Sequence, residues 1–124
     1  MNTYSHFSKN TKLEHLGTPE VLGGKTLSEN DITFSAHCDF GSVDEPMSAG
    51  LFEATKGRFS ITYPFSELAT LVDGEIQLTD ESGNSVTYKG GDGCSWFVRK
   101  GETIIWDVKT ETARKSFFLT KLDL

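Results

Sequence analysis

Few residues in this chain combine a reactive type with a spacing that would bring them together. Glu67 opens the β-rich run Glu67-Leu68-Ala69-Thr70-Leu71-Val72, where counting by twos places it with Ala69 and Leu71. A carboxylate among apolar neighbours is a group that general acid–base chemistry can use. The same counting groups Phe59, Ile61 and Tyr63, and separately Ile104, Trp106 and Val108. Together they describe an aromatic-walled cavity with one carboxylate, the composition of a small-molecule pocket. Trp106 and Trp96 are the side chains suited to stacking a planar ligand, and core packing accounts for at least one of them. The structural alternative for Glu67 is an ion pair with Arg58, Arg99 or Lys115 that holds two strands in register.

Other chemistries find less support. Cys38 and Cys94 form no CxxC spacing and no disulfide framework, so both are read as reduced thiols. Cys94 has no histidine near in sequence to activate it. Gly90-Gly91-Asp92-Gly93 lacks the Lys-Ser/Thr ending of a phosphate loop and reads as a turn. No Gly-x-Ser-x-Gly element is present. His6 and His15 fall in a polar N-terminal stretch, and His37 reads as a surface or packed histidine.

The elements that must position these residues are short strands. From residue 32 onward, β-rich runs alternate with turn signals such as Asp73-Gly74, Ser82-Gly83-Asn84 and Lys100-Gly101. Runs appear at 32–37, 48–54, 57–63, 67–72, 75–79, 86–88, 94–98, 103–108 and 114–122. No 3.6-residue stripe of helical length interrupts them. So many strands in so short a chain require a closed or sandwiched antiparallel architecture, and the fold class is all-β. Nine of the 14 aromatic residues lie between Phe59 and Phe118, where a small barrel needs bulky filling. Residues 1–30 read as an N-terminal arm that lies on the domain or reaches a partner, and 31–124 as the barrel domain.

Composition narrows the partners. With 124 residues the chain fits one domain able to bury a real core. Its net charge of −6, and only Lys56 and Arg58 as bases between Asp39 and Glu81, argue against nucleic acid. The opening Met1-Asn2-Thr3-Tyr4-Ser5-His6 lacks the apolar run of a secretory signal, and no stretch approaches a membrane span. A cytoplasmic protein without nucleic-acid or membrane partners is the expectation.

Glu67 and Gly74, with Gly57 ahead and Gly91-Asp92 and Gly101 behind, resemble the cupin superfamily. Cupins are jelly-roll barrels with two motifs. One is Gly, five residues, His-x-His, three or four residues, Glu, six residues, Gly; the other is Gly, five residues, Pro-x-Gly, two residues, His, three residues, Asn. More narrowly, Gly57-Arg58-Phe59, Gly91-Asp92 and Trp106-Asp107-Val108 with Arg114-Lys115 resemble the small cupins related to ureidoglycine aminohydrolase. The resemblance covers about residues 45 to 120 and implies a single-domain cupin jelly-roll barrel.

The usual metal ligands are missing. Aligned on Glu67, the first-motif histidines fall at Ile61 and Tyr63, or at Ser60 and Thr62. Aligned on Gly101, the second-motif histidine falls at Ile104 and the asparagine at Val108. Glu67 alone remains, with Tyr63 and His37 as the other conceivable ligands, so no metal or other cofactor is expected. The expected function is therefore binding of a small metabolite in a pocket lined by Phe59, Ile61, Tyr63, Glu67, Ile104 and Trp106. By resemblance the alternative is a hydrolase or isomerase in which Glu67 is the general acid/base beside a loosely held divalent metal. A third reading is a structural or interaction protein whose barrel is filled. The resemblance also implies a homodimer formed through edge strands, with the arm available for exchange.

Overall fold

The computed structural model describes residues 4–124, so the first three residues of the expected arm lie outside the described residues. Nine strands follow in chain order: β1 (Glu14–Gly17), β2 (Lys25–Thr26), β3 (Phe34–Gly41), β4 (Met47–Thr62), β5 (Ser66–Asp73), β6 (Glu75–Thr79), β7 (Ser85–Lys89), β8 (Ser95–Val98) and β9 (Thr103–Thr120). A single 3-10 turn, Pro19–Leu22, separates β1 from β2. All pairings are antiparallel, and the all-β jelly roll is the architecture observed.

Four of the runs read from the sequence merge into two long strands. Runs 48–54 and 57–63 fall in β4, and 103–108 and 114–122 largely in β9. The two strands pair along nearly their whole length, from Met47 opposite Thr120 to Thr62 opposite Thr103. A register shift between Thr55 and Gly57 bends the pair. Gly57 sits at φ +142°, and a Cβ there would lie 2.7 Å from Ile32 Cδ1, so glycine permits both the bend and the close approach. Turn residues had suggested breaks where the chain instead bends and continues.

The bend divides the fold into two layers. The first half of β4 and the second half of β9 lie in a sheet ordered β1-β3-β4-β9-β5-β8. Their other halves join β2 on one side and β6-β7 on the other. Between the layers, Phe34, Phe52, Ala69 and Phe117 meet Phe59, Ile76, Trp106 and Val108 in one core. The rings pack mostly edge to face, with Phe34 4.8 Å from Phe52 and 4.9 Å from Phe59.

Much of the expected N-terminal arm belongs to these sheets. β1 pairs with β3 and β2 with β4. Ahead of β1, Arg114 Nη1 donates to the carbonyls of Lys9 and Thr11 at 2.7 and 2.8 Å. Those bonds hold residues 9–11 to the outer side of the first sheet.

Candidate functional site

The space between the layers is not filled. A cavity of about 560 Å³ remains, and its wall is mostly apolar and aromatic, including Phe34, Phe52, Phe59, Phe65, Trp106 and Phe117. Four chain segments contribute to its lining beyond the strands: residues 21–23, 43–44, 63–65 and Lys121. The alternation of β4 explains the wall. Ser48, Phe52, Phe59 and Ile61 all line the cavity, because the bend at Gly57 keeps the same face inward on both sides.

Of the residues singled out above, Phe59, Ile61, Tyr63, Glu67 and Trp106 line this cavity. Ile104 does not. It is buried at the far end of the second sheet, beside the turn that carries Glu81 and Ser82. Period-two counting placed it on the correct face, but a face carries no information about depth along the barrel. Trp96 is a core residue whose ring meets Trp106 edge to face at 6.1 Å.

Two charged side chains are buried in the cavity wall. Glu67 on β5 is 3 % exposed and Lys115 on β9 is 5 % exposed. Their side chains meet at 2.5 Å, Lys115 Nζ donating to Glu67 Oε1. Leu71 is the register partner of Lys115, whereas Leu119 is that of Glu67, so the pair reaches diagonally between strands. The ammonium also stands 4.9 Å from the centroid of Phe52 and 4.8 Å from that of Trp106, within cation–π range. Of the three bases proposed as partners for Glu67, Arg58 and Arg99 are exposed and Lys115 takes the place. Arg114, the other member of the basic pair, points outward to Glu53 at 3.2 Å.

Tyr63 completes the polar part of the wall. Its hydroxyl accepts a 3.1 Å bond from Trp106 Nε1 in a buried position. Burial first, and the negative charge of Glu67 second, push the phenol well above its usual range. Tyr63 is therefore neutral, and its own O–H is available to donate.

These groups do not fit a divalent metal. The Glu67 oxygen that would be the ligand already holds an ammonium, whose charge opposes a second cation in the same place. Tyr63 keeps its proton, and Ile61 and Ile104 carry no donor. His37 does not enter the barrel: its neighbours Ala36 and Cys38 line the cavity, while its ring faces outward to Asp39 Oδ1 at 3.1 Å and Glu14 Oε1 at 3.5 Å. The set Glu67, Tyr63 and His37 is not brought together. Among the described residues, no group of three His, Cys, Asp or Glu side chains is placed to hold a metal ion.

Sequence reasoning left Lys115 among three partners and missed Phe52 and Phe117 on the wall. The signal was present. Lys115, Phe117 and Leu119 alternate with Arg114, Ser116 and Phe118, which is the period of a strand with one inward face.

Comparison with known proteins agrees with this architecture. Residues 41–117 match the model of the EutQ-like cupin domain. No curated protein matches the chain. Among solved structures, a protein of unknown function from Pseudomonas syringae pv. tomato superposes with a TM-score of 0.73 at 23% identity, over 90% of this chain. This chain spans 45% of that protein's length. The EutQ protein of Clostridium difficile gives 0.59 at 22% identity, over 74% of this chain and 65% of its own. Ectoine synthase from P. lautus gives 0.61 at 14% identity, over 80% and 71%. These likenesses are of fold, and with the matched domain covering most of the chain, the protein belongs to the EutQ-like cupin family.

Proposed function

We propose that the protein binds a small, largely apolar or planar molecule through its barrel cavity, with Lys115 and Glu67 reading a polar end. The observation that carries this reading is the buried ion pair on the wall of an open, aromatic-lined space. Ligand sites combine an apolar wall with a few convergent polar groups, and a volume near 560 Å³ lies within their usual range. A purely structural pair is better served by a filled core, since well-packed apolar residues are often at least as stabilising as a buried ion pair.

The polar groups define the complementary chemistry. Lys115 can donate N–H bonds beyond the one given to Glu67, and Tyr63 can donate one O–H bond. Glu67 accepts. A carbonyl beside an N–H, as in an amide or ureide, meets all three. Phe52 and Trp106 flank the ammonium and offer faces to a planar body. A reaction such as that of ureidoglycine aminohydrolase finds less support, because the carboxylate suited to acid–base work is held by Lys115 and the metal ligands are replaced.

The test is a thermal-shift and ligand-detected NMR screen of small amides, ureides and carboxylates against wild type, Lys115→Met and Glu67→Gln. The expected result is a set of planar amide-bearing compounds that raise Tm in wild type. At 100 times Kd a ligand adds about 2.7 kcal/mol of stability. Hits that bind Lys115→Met equally well, or no hits from the class, would overturn the proposal.

A further inference from the structure

The ion pair on the cavity wall carries a chemistry that recognition alone does not use. Among the described residues Lys115 is the one buried lysine; the other lysines, from Lys9 to Lys121, are exposed. Its Nζ lies 2.5 Å from Glu67 Oε1, and both side chains line the cavity. Lys121 also reaches the lining, but its Nζ donates to the carbonyl of Val43 at the rim. A primary amine in an apolar wall, touching a carboxylate that can take its proton, is placed as lysines that attack carbonyl compounds are placed. A surface lysine has water on every side instead.

We propose that Lys115 captures aldehydes covalently inside the barrel, as an imine whose formation and reversal Glu67 serves. The proposal rests on the cavity being the ligand site described above. It adds a class of ligand to that site, a carbonyl that Lys115 attacks rather than hydrogen-bonds.

The steps balance within the pair. The Lys115 ammonium passes a proton to Glu67, leaving an amine beside a carboxylic acid. The nitrogen lone pair forms an N–C bond to the carbonyl carbon, and the C=O π pair moves to oxygen. A proton shifts from that nitrogen to the oxygen, giving a neutral carbinolamine. Glu67 then protonates the hydroxyl, the C–O bond breaks, water leaves, and the nitrogen lone pair closes the C=N bond. One aldehyde and one ammonium become one iminium and one water, Glu67 ends as the carboxylate it began as, and nothing is oxidised or reduced. Tyr63, on the same wall and with its O–H free to donate, serves the oxygen while charge develops there.

The product suits the site as well as the reactant does. In both, the buried carboxylate faces a cation, so neither state leaves an uncompensated charge in the wall. The cation also stays beside Phe52 and Trp106, whose ring centroids stand 4.9 and 4.8 Å from Nζ. Those rings crowd the nitrogen, and an aldehyde brings a hydrogen where a ketone brings a second carbon. The class is therefore aldehydes with a planar or apolar body that the aromatic wall accepts.

The test is reductive trapping. Wild type at pH 7 is mixed with benzaldehyde and cyanoborohydride, which fixes an imine as a secondary amine. Peptide mapping by mass spectrometry follows benzyl addition at each lysine over time. Lys115 is expected to react roughly 100-fold faster than the exposed lysines, the low end of what positioned acid–base groups supply. Lys115→Arg keeps a cation beside Glu67 but has no amine able to form an imine, and should lose the fast addition while the exposed lysines react as before. Circular dichroism establishes that this variant is folded, and the wild-type map does not depend on it. Formaldehyde repeats the mapping with the smallest aldehyde, so that probe size does not decide the result. Benzamide, with the same ring and no aldehyde, separates this proposal from the binding reading beneath it. If benzamide raises Tm but neither aldehyde modifies Lys115 ahead of the exposed lysines, imine capture is overturned and the binding site stands. Fast addition at Lys115 with no benzamide effect supports imine capture and overturns the amide preference. Addition spread evenly over the lysines, or none at Lys115, overturns the proposal whatever benzamide does.

Discussion

Replacing Lys115 by Met removes the ammonium while keeping an unbranched stem between Phe52 and Trp106. What remains is a carboxylate at 3 % exposure whose one protein partner, among the described residues, is gone. Breaking a buried pair in this way costs about 3–5 kcal/mol, because the surviving charge is left uncompensated. Lost cation–π contact with two rings adds to the lower end of that range. With a urea slope of about 1.5 kcal/mol/M for a chain of this size, the unfolding midpoint should fall by roughly 2–3 M. The double variant Lys115→Met/Glu67→Leu removes both charges and should recover most of that loss, so the cycle gives a coupling of about 2 kcal/mol or more. Urea titrations of the four proteins at pH 7, followed by tryptophan fluorescence, measure it. A single-variant loss below about 1 kcal/mol would refute the reasoning, since that is the worth of a solvated surface pair.

Three further outcomes follow from the same wall and its surroundings. Tyr63→Phe leaves Trp106 Nε1 buried without its acceptor, and should cost about 1–3 kcal/mol in the same urea assay; a loss under about 0.5 kcal/mol would show that the bond is dispensable. His37 is raised above its ordinary value of 6.5 mainly by its bond to Asp39, with Glu14 helping and desolvation opposing. Its contribution to stability is therefore full below the unfolded value and is lost as pH rises through the folded one, so wild type should lose more stability between pH 5.5 and 8 than His37→Gln. An identical pH response of the two proteins would count against it. Finally, after incubation with Mn, Fe, Ni or Zn salts and desalting, elemental analysis should find no stoichiometric metal dependent on Glu67; retention by wild type that disappears in Glu67→Ala would show that a metal can displace Lys115.

Most of the fold was legible because strand faces repeat every two residues. Phe59, Ile61 and Tyr63, or Glu67, Ala69 and Leu71, declare a common face in the sequence itself, and the structure buries all six. Strand ends were harder. Gly57 resembles a terminator, yet its positive φ lets β4 bend and continue against Ile32. Depth in the barrel was not legible at all, which is why Ile104 shares a face with Trp106 but not the cavity. Nor could the sequence choose between Arg58, Arg99 and Lys115, 48 residues from Glu67, without the β5–β9 register that decides it. His37, read as a surface or packed histidine, falls in the outward set of β3.

The two bent strands have a consequence for traffic into the barrel. β4 and β9 each run through both layers, so the layers are hinged together by two continuous hydrogen-bonded chains rather than by loops. Prising them apart would break that ladder at its centre, and the sandwich cannot breathe like a pair of hands. Exchange with solvent is left to the rim, where residues 21–23, 43–44 and 63–65 are connecting segments with no strand of their own. The rate at which anything enters or leaves is then a property of those three short pieces, separable by mutation from how tightly the interior holds it.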